Sequence, residues 1–333
     1  MGKWTASKGL LRMLLGAGIS LAALGDVAAQ RETIRTRVDL VVVPASVRDA
    51  DGRFVYDLKR EDFSILEDGR SQEVSQFSID PSPLSVTVLV DTGIGGGGLR
   101  RFSRSIVSLS SAFTDMDETE VYRFDDTVRK ISDFTSSPDA LEKNLTIIQK
   151  LAEGKANASA PPLVILPGRG PRWLRWLLDS GVPRLVLNDA LFAAAIDLEK
   201  RKLETRKIVI VISDGQVAGA AQSLQQTRDR LVQSQIQVYA VTVGIALLEG
   251  RTSILHTYAG ATGGDVYSGR NQNAMEAAFS RITEQARHQY VLGYVSNNEV
   301  KRELPVVRTI DVRVNRPGLS IHHRKSYLQY PLR

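Results

Sequence analysis

Apolar residues recur along this chain with two different periods, and the change of period divides it into three stretches. From Arg35 to Asp80 the pattern is that of strands. Val38–Val43 and Ala45–Arg48 are rich in β-branched residues, which fit a pleated, half-buried surface. Asp51-Gly52 marks a turn, and Phe63–Leu66 runs into Asp68-Gly69, a hairpin signal. Val74–Ile79 alternates with period two, and Pro81-Ser82-Pro83 then breaks the chain as a linker.

The middle stretch alternates between strand and helix. Leu84–Val90 reads as a buried strand ending at Asp91. Leu99, Phe102, Ile106, Leu109 and Phe113 follow at helical spacing and make one apolar face. Val121–Phe124 is a strand, with a short companion at Val128–Ile131. Ser137-Pro138 then opens a helix as N-cap and first residue, turning Leu141, Leu145, Ile148 and Leu151 inward. Beyond these come a helix over 187–203, a strand at Ile208–Ile212 leading to Asp214, a polar helix at Ala221–Gln233 and a strand at Val238–Val243. A helix at Ser253–Ala259, a strand at Val266-Tyr267 and a helix at Met275–His288 complete the stretch. Such alternation predicts a doubly wound, Rossmann-like α/β sheet, mostly parallel, with helices on both faces.

Strand patterns return at Tyr290–Val295, Val306–Val314 and Leu319–His323, with a turn at Arg316-Pro317-Gly318. Neither flank is large enough for a core by itself. Residues 30–83 and 290–333 are therefore expected to pair as one small β-sandwich, with the α/β domain at 84–289 inserted between them. The domain carries an insertion at 152–184.

Composition narrows the setting. Among 333 residues, 43% are hydrophobic and 24% charged, the balance of an ordinary globular protein. Lys3, Lys8 and Arg12 precede an apolar run from Met13 to Leu24, and Val27-Ala28-Ala29 supplies small residues for a peptidase, so 1–29 reads as a signal peptide. The run is too short to span a bilayer. There is no cysteine, hence no disulfide and no lipidated cysteine. Export without disulfides suits a bacterial periplasmic or secreted protein. Without 1–29 the formal charge falls from +6 to +4, because that segment holds three basic and one acidic residue. Charges are interspersed, which argues against nucleic acid as a partner.

Ligands of open α/β sheets bind outside the carboxyl ends of the strands. Asp91 and Asp214 stand at two such ends. Asp91-Thr92-Gly93-Ile94-Gly95 and Ser213-Asp214-Gly215 resemble the metal-ion-dependent adhesion site of von Willebrand factor A-type domains. That family's first motif is Asp-x-Ser-x-Ser, with a Thr and an Asp on later loops. Val38–Val43, Gly52-Arg53, Leu58–Phe63, Leu66–Gly69, Gln289–Tyr294 and Arg316–Leu319 further resemble the bacterial VWFA-related group common in acidobacterial genomes. The resemblance covers nearly all of the mature chain. It implies metal-mediated binding, but Gly93 and Gly95 replace both serines, and Leu185, four residues before Asp189, falls at the threonine position. Asp91 and Asp214, with Thr92 and Ser213 as secondary hydroxyls, remain for Mg²⁺ or another divalent cation, which wants six oxygens. Weak binding or none is expected. A competing expectation is that the two carboxylates accept hydrogen bonds from loop and helix-end amides. Gly95–Gly98 lacks the residues of a phosphate loop.

The insertion concentrates Trp173, Arg175 and Trp176, residues that often anchor interfaces. They are expected either to contact a partner or to fold back as a lid, and 171–178 could also touch a membrane surface. No nucleophile–base motif is present, and His256, His288, His322 and His323 are each expected at the surface. The sequence thus reads as a non-catalytic exported binding protein with a degenerate metal site, whose partner is another protein of the cell envelope or extracellular space. The alternative is a metal-dependent hydrolase, or a metal-linked assembly factor, using Asp91 and Asp214.

Overall fold

Burial follows the periods. A computed structural model describes residues 40–94, 102–157, 186–202, 204–216, 220–243, 253–298 and 305–330. In chain order these form β1 (Leu40–Arg48), β2 (Phe63–Glu67), β3 (Arg70–Gln72), β4 (Val74–Ser78), β5 (Leu84–Asp91), α1 (Ile106–Ser110), β6 (Glu118–Phe124) and β7 (Val128–Thr135). Next come α2 (Pro138–Asn157), α3 (Leu187–Glu199), β8 (Arg206–Ser213), α4 (Leu224–Gln233), β9 (Gln237–Thr242), α5 (Ser253–Thr262), β10 (Val266–Ser268) and α6 (Gln272–Arg287). The last four are β11 (Tyr290–Val295), β12 (Val306–Val314), β13 (Ser320–His323) and β14 (Ser326–Gln329). The proposed signal peptide lies outside the described residues.

The central sheet has six strands in the order β10-β9-β8-β5-β6-β7, parallel throughout except for the edge strand β7. Its central strands read as unbroken apolar runs because both faces are covered. Along β8, Ile208, Ile210 and Ile212 pack in a core with Ile106, Leu145 and Phe279 of α1, α2 and α6. Val209 and Val211 pack in a second core with Leu191, Leu231 and Leu255 of α3, α4 and α5. Every residue of β5 is buried, Asp91 included.

Strands from the two ends of the chain share two further sheets, β13-β1-β11-β4 and β14-β12-β2-β3. β1 runs antiparallel to β11 from Leu40↔Val295 to Ala45↔Tyr290, and β12 runs antiparallel to β2 from Ile310↔Glu67 to Val314↔Phe63. Val43, Ile65, Leu292 and Val312 meet in their common core. Pro44 sits inside β1 without breaking it. The partner β13 reaches only as far as Ala45, so at Pro44 the strand has a neighbour on one side only. Asp68 and Gly69 both take positive φ, 49° and 79°, as a two-residue hairpin turn requires. Behind that turn, buried Glu67 accepts from Tyr294, Ser296, Tyr327 and Asn298 at 2.7, 2.5, 3.0 and 2.8 Å.

Several boundaries differ from expectation. The helix expected over 187–203 ends at Glu199, where Arg230 and Ser234 bind the Glu199 carboxylate. The polar helix starts at Leu224, because Ser223 caps it and Gln226 closes a reciprocal capping box. β7 extends to Thr135, and β14 has no counterpart in the expected elements; its Ser-Tyr-Leu-Gln is too short to show a period.

His323 corrects a surface assignment. It is 3% exposed, its Nδ1 lies 2.7 Å from the Arg324 carbonyl and its Nε2 accepts from Val312 N at 3.2 Å. A strand residue facing a core is buried whatever its polarity, provided that partners are supplied. Burial, with Lys325 adding repulsion, pushes its pKa down to about 4. The unfolded chain therefore takes up a proton below about pH 6.5 that the native fold refuses until about pH 4, and stability falls across that window as pH drops. His323→Gln should remove this acid-side slope, worth on the order of 2 kcal/mol, when unfolding is followed by denaturant titration at pH 7 and pH 4.5.

Candidate functional site at the carboxyl end of the sheet

β5 and β8 are adjacent and parallel, with Val90 opposite Ile212, so their carboxyl ends lie side by side. Asp91 closes β5 and is 0% exposed. Its Oδ2 accepts from Ser213 Oγ on the neighbouring strand at 2.7 Å, and its Oδ1 accepts from Gly93 N at 2.9 Å. Ser213 Oγ in turn accepts from Gly215 N at 3.0 Å, where φ is +75° and glycine is suited. Burial raises the Asp91 pKa to about 7, with Asp214 and Asp125 adding repulsion against the two hydrogen bonds.

The other expected ligands turn elsewhere. Asp214 accepts from Gln216 N and Nε2 at 3.1 and 3.0 Å. Thr92 Oγ1 lies 3.2 Å from the Phe124 carbonyl and 3.0 Å from Asp125 Oδ2, to either of which it can donate. Asp189, in the first turn of α3, accepts from Ala221 and Gln222 amides at 3.0 and 2.7 Å and holds the loop before α4. Asp91 and Ser213 are thus brought into contact, whereas Thr92 and Asp214 each serve their own loop. Trp173, Arg175, Trp176, Leu185 and Gly95 lie outside the described residues.

Asp125 is a participant that the sequence reading did not single out. It is 7% exposed, ion-paired with Arg123 at 2.8 Å and bonded to Thr92. Its place one residue after β6, the neighbour of β5, was a usable signal.

The donor set is thin for a hard divalent cation, which wants six oxygens. Gly93 brings no side-chain oxygen, and each oxygen of Asp91 and Asp214 already accepts one hydrogen bond from the protein. Among the described residues, no three His, Cys, Asp or Glu side chains are grouped to hold a metal. What the arrangement does chemically is to fasten two loops and tie one strand end to its neighbour.

The strand order, the antiparallel edge strand and the aspartate closing the first strand of the sheet decide the architecture. The α/β part of this chain is the doubly wound, Rossmann-like sheet with one antiparallel edge strand that the resemblance to von Willebrand factor A-type domains led one to expect. No family model matches the sequence, and no curated protein does. Solved structures similar to it include an aerotolerance-related membrane protein from Bacteroides fragilis, at 14% identity and TM-score 0.42, covering 61% of this chain and 99% of that one. A von Willebrand factor type A protein from Catenulispora acidiphila matches at 8% identity and TM-score 0.44, covering 89% and 75%. Manganese-loaded TRAP protein from Plasmodium vivax matches at 11% identity and TM-score 0.41, covering 79% and 98%. Nothing of their chemistry transfers at such distances.

The Asp91 pKa has a measurable consequence. Between about pH 4 and pH 7 the native state holds a proton that the unfolded chain has released, so the contribution of this group to stability falls as pH rises. Asp91→Asn mimics the protonated acid and abolishes that slope. Its melting temperature relative to the parent should rise by a few degrees from pH 5 to pH 8, read by differential scanning calorimetry.

Proposed function

We propose that this chain is a non-catalytic, exported binding protein that captures another protein of the cell envelope or extracellular space with the carboxyl-end face of its sheet. The metal-ion-dependent adhesion site of the A-type domain persists there in degenerate form. One observation carries the reading: the Asp91 carboxylate is 0% exposed and each of its oxygens accepts a hydrogen bond from the protein, from Ser213 Oγ at 2.7 Å and Gly93 N at 2.9 Å, so it serves the fold and is not displayed at the surface. A face that has lost its metal ligands but keeps the loops around them still offers a surface, and Trp173, Arg175 and Trp176 supply the side chains that anchor protein contacts. The same 171–178 segment suits contact with a membrane surface. No helix among the described residues is long and apolar enough to cross a membrane.

Adding millimolar Mg²⁺, Mn²⁺ or Ca²⁺ should leave the melting temperature unchanged, and capture of a partner from envelope extracts should survive chelation. Deleting residues 155–182 should abolish capture while the melting temperature of the remaining fold is kept. A metal-dependent rise in melting temperature would instead favour a metal-dependent hydrolase or metal-linked assembly factor built on Asp91 and Asp214. Capture undiminished by the deletion would remove the loop from the account.

A further inference from the structure

The central sheet ends at β10, which pairs with β9 and has no strand on its other side. The Asp265 carbonyl accepts from Ala240 N at 3.0 Å, and Gly269 N donates to the Thr242 carbonyl at 2.8 Å, so these positions turn their backbone groups towards β9. By the alternation of a strand, Val266 and Ser268 turn theirs outward. The Val266 amide is answered by Asp265 Oδ1 at 2.8 Å. The Val266 carbonyl and both backbone groups of Ser268, an exposed residue, are left as a short open edge.

That edge is held in place from within. The Tyr267 side chain packs against the first core, and its hydroxyl accepts from Arg48 at 2.7 Å and donates to Gln285 Oε1 at 2.5 Å. Arg48 is held in turn by Asp265 at 3.0 Å. A strand fixed in this way can receive a neighbour without first being ordered.

Beside the edge, between β10 and α6, runs a cleft of about 350 Å³. Ala274, Ala277, Ala278 and Arg281 follow at helical spacing and share one flank of α6, and Arg270 stands just before the N-cap Asn271. The alanines leave room for a chain to pass, and the two arginines place positive charge on either side of them along the helix. Both arginines are exposed, and neither makes an ion pair or a side-chain hydrogen bond among the described residues. The acids nearby are committed: Asp265 to Arg48, Glu276 to Gln272 at 2.9 Å and Glu284 to Tyr56 at 3.0 Å. Among the described residues no acid lines the cleft.

Charge beside a sheet edge deters strands that would add to it by chance. Charge of one sign also selects, because a strand carrying the opposite sign is attracted instead. From the open edge and the two unanswered arginines together, we infer that β10 and the flank of α6 form a docking site for an extended acidic segment of a partner protein, which adds to the sheet as a further strand. Its main chain pairs with Val266 and Ser268. Acidic side chains on its α6 side lie along the alanines and reach Arg270 and Arg281. The site uses neither Asp91 nor the 155–182 segment, so it stands or falls separately from the reading of the carboxyl-end face.

The probe is the hexapeptide acetyl-Thr-Glu-Val-Glu-Val-Glu-amide. One control has glutamine for each glutamate; the other is the acidic peptide with every backbone amide N-methylated, which keeps the charge but cannot pair. In ¹⁵N–¹H spectra of the full chain, the acidic peptide should shift the Val266, Ser268 and Arg270 amides saturably and slow hydrogen exchange at Ser268. Each control should bind about tenfold more weakly. Arg270→Gln combined with Arg281→Gln should weaken the acidic peptide about fivefold, the loss of two exposed ion pairs, with a melting curve that matches the parent. No saturable shift at millimolar peptide, either control binding as tightly as the acidic peptide, or a double variant that binds as the parent does would each overturn the assignment.

Discussion

A carboxylate at the end of a strand buried on both faces has to be answered by the protein itself, because no water reaches it. That constraint governs the carboxyl end of this molecule. β5 is buried at every position, so Asp91 inherits the dry environment of the core. Its two oxygens are answered from two directions, by the hydroxyl of Ser213 across the β5–β8 register and by the amide of Gly93 in the loop that follows. The first bond ties neighbouring strand ends together. The second folds the loop back over its own strand. A fold that uses a carboxylate in this way has committed it, since each neutral donor is worth about 1 kcal/mol net but costs more if the buried acceptor is stranded.

The same logic separates this face from a cation site. A divalent ion would have to supply enough coordination energy to displace the Ser213 and Gly93 donors and to ionise a group whose pKa stands near 7. Serine side chains would have provided oxygens for that exchange, but Gly93 provides only its amide, already in use. Asp125 and Asp214 raise the cost of a full negative charge on Asp91. Arg123 neutralises Asp125 from its own strand instead of leaving it for an external cation.

Much of the fold was legible in the sequence because both faces of one sheet are covered and each helix shows one apolar stripe. Val86, Val88 and Val90 face one core while Leu89 faces the other, and the run reads as a strand from either side. The partnership of the two ends of the chain was legible through composition, in that neither end had enough apolar surface alone. What escaped the pattern were a helix end and features decided by partners distant in sequence. The helix α3 stops at Glu199, where the Lys200 amide turns back onto the Asp197 and Leu198 carbonyls, and Ser326–Gln329 becomes a strand through pairing with β12. His323 is buried through a core that gives its ring nitrogens partners. For the site, Asp91 and Asp214 were visible as strand ends, and Ser213 as a secondary hydroxyl beside them. That Asp214 accepts from a loop amide was one of the two expectations, but the direction in which Thr92 and Asp189 point was not visible, because it depends on partners distant in sequence.

The central claim is that the Asp91 carboxyl belongs to the interior of the fold and is not offered to a cation. A ¹³C NMR titration of the aspartate carboxyl signals, assigned through Asp91→Asn and repeated with millimolar Mg²⁺, measures this directly. The account predicts a midpoint near 7 that the metal leaves in place. A midpoint close to that of an ordinary aspartate, or one that Mg²⁺ drives down, would contradict it.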